Sequence, residues 1–147
     1  KAISENNSKG KIFTLDIIPN NKKMYWNCIS DFEGKKTRLE LLENYKDELK
    51  NIEFIQGFTK NILKKFDMNK IHFAFLDGSH KYKDVKFEFE YVKKRQSKED
   101  IIFFDDYTPG KFDGVVKLID EIRNENDYEI KEIFSSKERG YILATKN

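Results

Sequence analysis

Two stretches decide how this chain is read: Ile71-His-Phe-Ala-Phe-Leu-Asp-Gly-Ser-His80 and Ile101-Ile-Phe-Phe-Asp-Asp-Tyr107. Each is a short apolar run that ends abruptly on acid, with Asp77 and His80 closing the first and Asp105 and Asp106 the second. Such runs, bounded by turn signals, read as buried strands. In an open α/β sheet, ligands bind in the crevice beyond the carboxyl ends of the strands. The acids and the histidine therefore mark a candidate site. A third run, Ile12 to Leu15, stops on Asp16 in the same manner.

Outward from these runs, strands and helices alternate without a linker or repeat. Residues 17–36 form an irregular insert with Pro19, Trp26 and Gly34, and Thr37 caps a helix in which Leu41, Leu42, Tyr45 and Leu49 recur to near Asn51. Ile52 to Ile55 is the next strand, with Gln56-Gly57 as its exit turn, and a short helix through Ile62, Leu63 and Phe66 follows. Tyr82, Val85, Phe89 and Val92 make one apolar stripe on a charged helix. A loop with Pro109 and Gly110 precedes a helix carrying Val115, Leu118, Ile119 and Ile122. Tyr128 to Phe134 and Tyr141 to Thr145 then form an antiparallel hairpin. Parallel neighbours require crossover connections. The expected architecture is a single α/β domain over residues 1–147, with a Rossmann-like, mostly parallel sheet, helices on both faces and a C-terminal antiparallel hairpin.

Composition limits the function classes. The chain has 147 residues, 37% of them charged, and a net charge of +2. Its mean hydropathy is -0.76. Thirteen Phe and seven Tyr supply core material, and the basic runs Lys22-Lys23, Lys35-Lys36 and Lys93-Lys94-Arg95 read as solvated faces rather than nucleic-acid grips. Cys28 is the single cysteine and forms no internal disulfide, and no apolar run reaches membrane-spanning length. The expectation is a cytoplasmic protein without nucleic-acid or membrane partners, for which a homo-oligomer is compatible.

The runs Gly10-Lys-Ile-Phe-Thr-Leu-Asp16, Phe54-Ile-Gln-Gly57, Phe75-Leu-Asp-Gly-Ser-His-Lys-Tyr82 and Ile102-Phe-Phe-Asp-Asp-Tyr107 together resemble the class I S-adenosylmethionine-dependent methyltransferases. More narrowly, they are similar to the small-molecule O-methyltransferase branch that includes the macrocin and cephalosporin-cluster enzymes, many of them metal-dependent. Those enzymes open with a strand and a glycine-rich turn for the methionine end of the cofactor. Here Lys1 to Asn7 corresponds to the tail of the helix that follows that turn. The missing strand would lie mid-sheet, so the strands at 12 and 52 are expected to lack a sheet neighbour joining them to those at 71 and 101. The chain is accordingly read as a fragment, or as lacking an amino-terminal segment; were it complete as written, cofactor binding would be badly impaired.

The resemblance assigns roles residue by residue. Asp16 would accept hydrogen bonds from both ribose hydroxyls, because a carboxylate offers two acceptor oxygens; the alternative is a turn before Pro19. Gln56, Gly57 and Phe58 would border the adenine, although Phe58 could equally be core. Asp77 is expected in catalysis and beside the cofactor. Asp77, Asp105 and Asp106 together would hold a divalent ion, Mg²⁺ in the first instance, since hard oxygen ligands suit it; taken singly, Asp105 or Asp106 could cap the next helix. His80 would take the proton of the acceptor hydroxyl, or else cap a helix or bond a neighbouring acid. His72 reads as structural. Tyr25, Trp26 and Asn27 could form part of a lid, and the loop from Tyr107 to Lys111 should shape the acceptor side. The implied reaction is methyl transfer from S-adenosylmethionine to a hydroxyl of a small molecule, a sugar or another metabolite. A non-catalytic binding module on the same fold is the alternative. A phosphoacceptor receiver domain fits poorly, because its paired acids precede the single one.

Overall fold

The computed structural model describes residues 10–26, 33–136 and 139–147. The expectations concerning Lys1 to Asn7, Asn27 and Cys28 lie outside the described residues. The chain divides into two compact units, Lys1–Ile62 and Leu63–Asn147.

In the first unit, β1 (Ile12–Asp16) runs parallel to β2 (Ile52–Gln56), and the register sets Asp16 opposite Gln56 at the carboxyl ends of both. Helix α1 (Arg38–Leu42) starts at a capping box: the Thr37 hydroxyl accepts from the Glu40 backbone N–H, and the Thr37 N–H donates to the Glu40 carboxylate. The expected helix to Asn51 is cut short at Leu42 and passes into a 3₁₀ turn over Glu43–Tyr45. No residue of α1 is buried. Helices gain most of their stability from a packed apolar face, so five residues without one do not propagate. Helix α2 (Thr59–Leu63) likewise ends before Phe66.

In the second unit, β3 (Phe73–Leu76), β4 (Ile101–Phe104), β5 (Tyr128–Ser136) and β6 (Arg139–Lys146) form one mixed sheet in the order β3-β4-β6-β5. β3 and β4 are parallel, and β6 is antiparallel to both β4 and β5. The expected hairpin is thus present, with its second strand inserted beside β4. Among the described residues the strands pair only within these two groups, β1-β2 and β3-β4-β6-β5.

Helices α3 (Tyr82–Lys93) and α4 (Asp113–Glu125) supply the core of the second unit. Val85, Phe89 and Val92 from α3, and Val115, Leu118, Ile119 and Ile122 from α4, pack with Ile102, Phe104, Ile142 and Ala144. Each of these side chains larger than alanine contributes roughly 1.5–3 kcal/mol on burial. Strand residues alternate between faces, and the opposite face carries Phe103 between Phe75 and Tyr141, at ring separations of 5.7 and 5.5 Å. Phe73 and Phe75 there are 49% and 52% exposed. Within this unit both long helices therefore lie on one face, and the expected cover of the second is not found among its own elements. His72 precedes β3, is exposed, and contributes its carbonyl to the Ile101 N–H. No helix among the described residues is long and apolar enough to cross a membrane.

Candidate active site

At the end of β1, the Asp16 carboxylate is engaged on both oxygens. Oδ1 accepts the Ile18 N–H at 3.0 Å, and Oδ2 accepts Arg38 Nη2 at 2.5 Å. Gly57 donates its N–H to the Asp16 carbonyl at 2.8 Å and sits at φ +145°, a conformation open to glycine but rarely to other residues. That is why the β2 exit turn needs glycine here. Gln56 Oε1 accepts the Asn20 N–H at 3.4 Å. Phe58 is 63% exposed, so the core alternative for it falls away. Trp26 is anchored by its indole N–H to the Lys36 carbonyl at 2.8 Å.

In the second unit, the ends of β3 and β4 bring Asp77, His80 and Asp106 together. One ligand atom from each lies within 4.8 Å of the others. His80 Nε2 is 2.7 Å from Asp106 Oδ2, and Phe112 stands against the imidazole at 4.2 Å between ring centroids. Asp106 adopts φ +58°. An aspartate tolerates that region at some cost, and such outliers concentrate at functional sites. The Asp77 carboxyl is pushed above the ordinary range, first by desolvation and then by the charges of Asp105 and Asp106. Asp77 is exposed as a whole residue, so the crowding acts on its carboxyl group from one side.

Asp105 behaves differently from its neighbours. It is buried at 4% exposure, accepts the Asp106 N–H on Oδ1 at 2.7 Å, and accepts Arg139 Nη2 on Oδ2 at 2.8 Å. Its charge is thus balanced within the protein. The converging trio is Asp77, His80 and Asp106, and Asp105 borders it through a side-chain hydrogen bond with Asp77. Neither Asp105 nor Asp106 caps a helix, since the residue before α4 is Phe112. Nor does His80 cap α3: Ser79 does the local work, its hydroxyl accepting the Lys81 N–H and donating to Asp84. Tyr107 is buried in the core cluster and its ring meets Phe134, so it shapes the loop by packing from beneath.

Sequence reasoning missed Arg38, Arg139 and Phe112. Arg38 directly follows the Thr37 cap, which could have flagged it as fixed in space. Nothing local marks Arg139, which comes from a distant strand.

Comparison with known proteins supplies the frame for this geometry. Residues 1–107 match the family model described as a methyltransferase domain. No curated protein matches the chain. Among solved structures, it is similar to the O-methyltransferase TomG of Streptomyces achromogenes, involved in tomaymycin synthesis and solved with S-adenosylmethionine. Identity is 14%, the TM-score is 0.66, and 96% of this chain and 64% of that one are covered. It is also similar to the O-methyltransferase of Bacillus cereus solved with S-adenosylhomocysteine, at 14% identity, TM-score 0.60, and coverage of 94% and 63%. Cofactor-bound Rv0187 from MTB aligns at 11% identity and TM-score 0.67, covering 94% and 62%. The chain thus spans somewhat less than two thirds of these proteins. The strand-end acids, the parallel β1-β2 and β3-β4 pairs, the terminal hairpin and the match over residues 1–107 lead to one conclusion: the chain belongs to the methyltransferase domain family.

Proposed function

We propose that the protein transfers the methyl group of S-adenosylmethionine to a hydroxyl of a small molecule, a sugar or another hydroxylated metabolite, in a cytoplasmic setting and without nucleic-acid or membrane partners. The observation that carries this reading is the meeting of Asp77, His80 and Asp106 at adjacent strand ends. In this reading Asp16 receives the ribose hydroxyls, and Gln56, Gly57 and Phe58 border the adenine.

His80 acts as the general base. Its Nε2–H donates to Asp106, which fixes the ring and stabilises the imidazolium once it forms. Nδ1 is then the nitrogen that takes the acceptor proton. Asp77 orients the acceptor hydroxyl, and Phe112 limits rotation of the imidazole. The sulfonium is already a good leaving group, so alignment of the reacting atoms supplies most of the acceleration.

A divalent cation belongs to the same proposal. Asp77 and Asp106, with Asp105 beside Asp77, offer the hard carboxylate oxygens that suit Mg²⁺, and leave Nδ1 of His80 for the acceptor proton. When bound, the ion lowers the pKa of a coordinated hydroxyl. The test is titration with S-adenosylhomocysteine, with and without Mg²⁺, followed by transfer of labelled methyl to a panel of hydroxylated acceptors. Saturable binding and label in an acceptor support the reading. Absence of nucleoside binding under every metal condition contradicts it.

A further inference from the structure

We infer that Arg38 is a positioning residue for the nucleoside, holding the Asp16 carboxylate in the orientation that receives the two ribose hydroxyls. The inference rests on the assignment of Asp16 to the ribose made above. A carboxylate offers about four lone-pair sites. The Ile18 N–H occupies one on Oδ1 and Arg38 Nη2 one on Oδ2. One site remains on each oxygen, which is the complement of two vicinal hydroxyls.

Arg38 is itself fixed from three sides. Its second prong, Nη1, donates to Asn20 Oδ1 at 3.1 Å, and the Asn20 N–H reaches Gln56 Oε1 at the neighbouring strand end. Its guanidinium lies 5.1 Å from the centroid of the Trp26 ring, within cation–π range. Its backbone is set by the Thr37 capping box. The arginine side chain is 14% exposed and the aspartate side chain 35%. The cation is therefore the better-covered partner, and the carboxylate keeps an accessible side. A planar fork can bridge Asp16 and Asn20 at once, whereas a lysine ammonium would act as a point charge without that geometry.

A purely structural ion pair and a positioning residue differ in what they affect. Loss of the first weakens the fold and every ligand alike. Loss of the second weakens only ligands that present a ribose diol. The experiment is calorimetric titration of the protein, and of its Arg38→Ala, Arg38→Lys and Asp16→Asn variants, with S-adenosylhomocysteine and with its 2′,3′-dideoxy analogue. Thermal melting of each variant confirms folding. Arg38→Ala is expected to weaken S-adenosylhomocysteine by about tenfold, the scale of one hydrogen bond to a charged group, and to leave the dideoxy analogue unchanged. Arg38→Lys should recover part of the loss. If Asp16→Asn weakens the natural ligand while Arg38→Ala affects both ligands equally, or neither, the role of Arg38 is overturned and the ribose assignment stands. If the unaltered protein does not bind, or Asp16→Asn binds as tightly, the ribose assignment fails and the inference falls with it.

Discussion

Gly114→Ala tests how closely the first turn of α4 is fitted to the segment that carries His80. Gly114 is the second residue of that helix. A Cβ built on it would lie 2.3 Å from the His80 carbonyl oxygen, 2.5 Å from the Tyr82 nitrogen and 3.1 Å from the Lys81 carbonyl carbon. Ordinary contact begins at 3.4 Å, so the helix and the segment must part by roughly 1 Å, and all three atoms are backbone with no rotamer to yield. Alanine in place of glycine in a helix normally stabilises by up to ~1 kcal/mol, less in a first turn. Overpacking of this kind costs about 1–3 kcal/mol, at the upper end where backbone must move. The clash therefore outweighs the propensity, and a net loss of about 1–2 kcal/mol is expected. The consequence for function is larger. His80 would shift against Asp106, to which it is bonded at 2.7 Å, and misplacement by ~1 Å can cost ~10²-fold in rate. Urea denaturation and initial rates of methyl transfer measure the two effects. A Gly114→Ala protein as stable and as active as the parent would refute the close fit.

Tyr128 yields a prediction about alkali. Its hydroxyl donates to Gln96 at 2.8 Å, and burial pushes the phenol up from 10.0 to about 12. A group whose folded pKa is raised stabilises fully below its unfolded pKa and loses that contribution as pH climbs through the folded one. Stability should accordingly fall by about 2–3 kcal/mol between pH 10 and 12, and Tyr128→Phe should lack this component in denaturation series across that window. Asp77 obeys the same sign rule in the carboxylate range. Its raised pKa means that ionisation opposes folding, so Asp77→Asn should be more stable than the parent at neutral pH in the presence of a chelator. That advantage should fade as pH falls below the ordinary carboxylate value; an advantage that persists at pH 3 would count against charge crowding as its source.

The fold was largely legible because its signals are local. The runs at 12, 52, 71 and 101 are apolar and end on turn residues, and Val115, Leu118, Ile119 and Ile122 fall on one helical face, which the structure buries completely. The helix expected after Thr37 failed for the opposite reason. Its periodic leucines suggested a buried stripe, but whether a stripe is covered depends on tertiary partners that periodicity does not reveal. The division of the second unit's helices between sheet faces was hidden for the same reason. At the site, Asp77, His80 and Asp106 announce themselves at strand ends. The pairing of Asp105 with Arg139 does not, since that arginine arrives from β6, and neither does the left-handed turn at Asp106. Arg38 shows the same limit: its partner Asp16 lies across an irregular insert, with no spacing rule to connect them.

The central claim is that His80, held by Asp106, removes the acceptor proton. The most direct measurement compares His80→Ala with the parent in single-turnover methyl transfer from labelled S-adenosylmethionine, with S-adenosylhomocysteine affinity determined on the same preparations. The account predicts unchanged affinity and a rate lower by ~10²–10⁴-fold, the usual contribution of a general base. Transfer at the parental rate by a folded His80→Ala protein would contradict it.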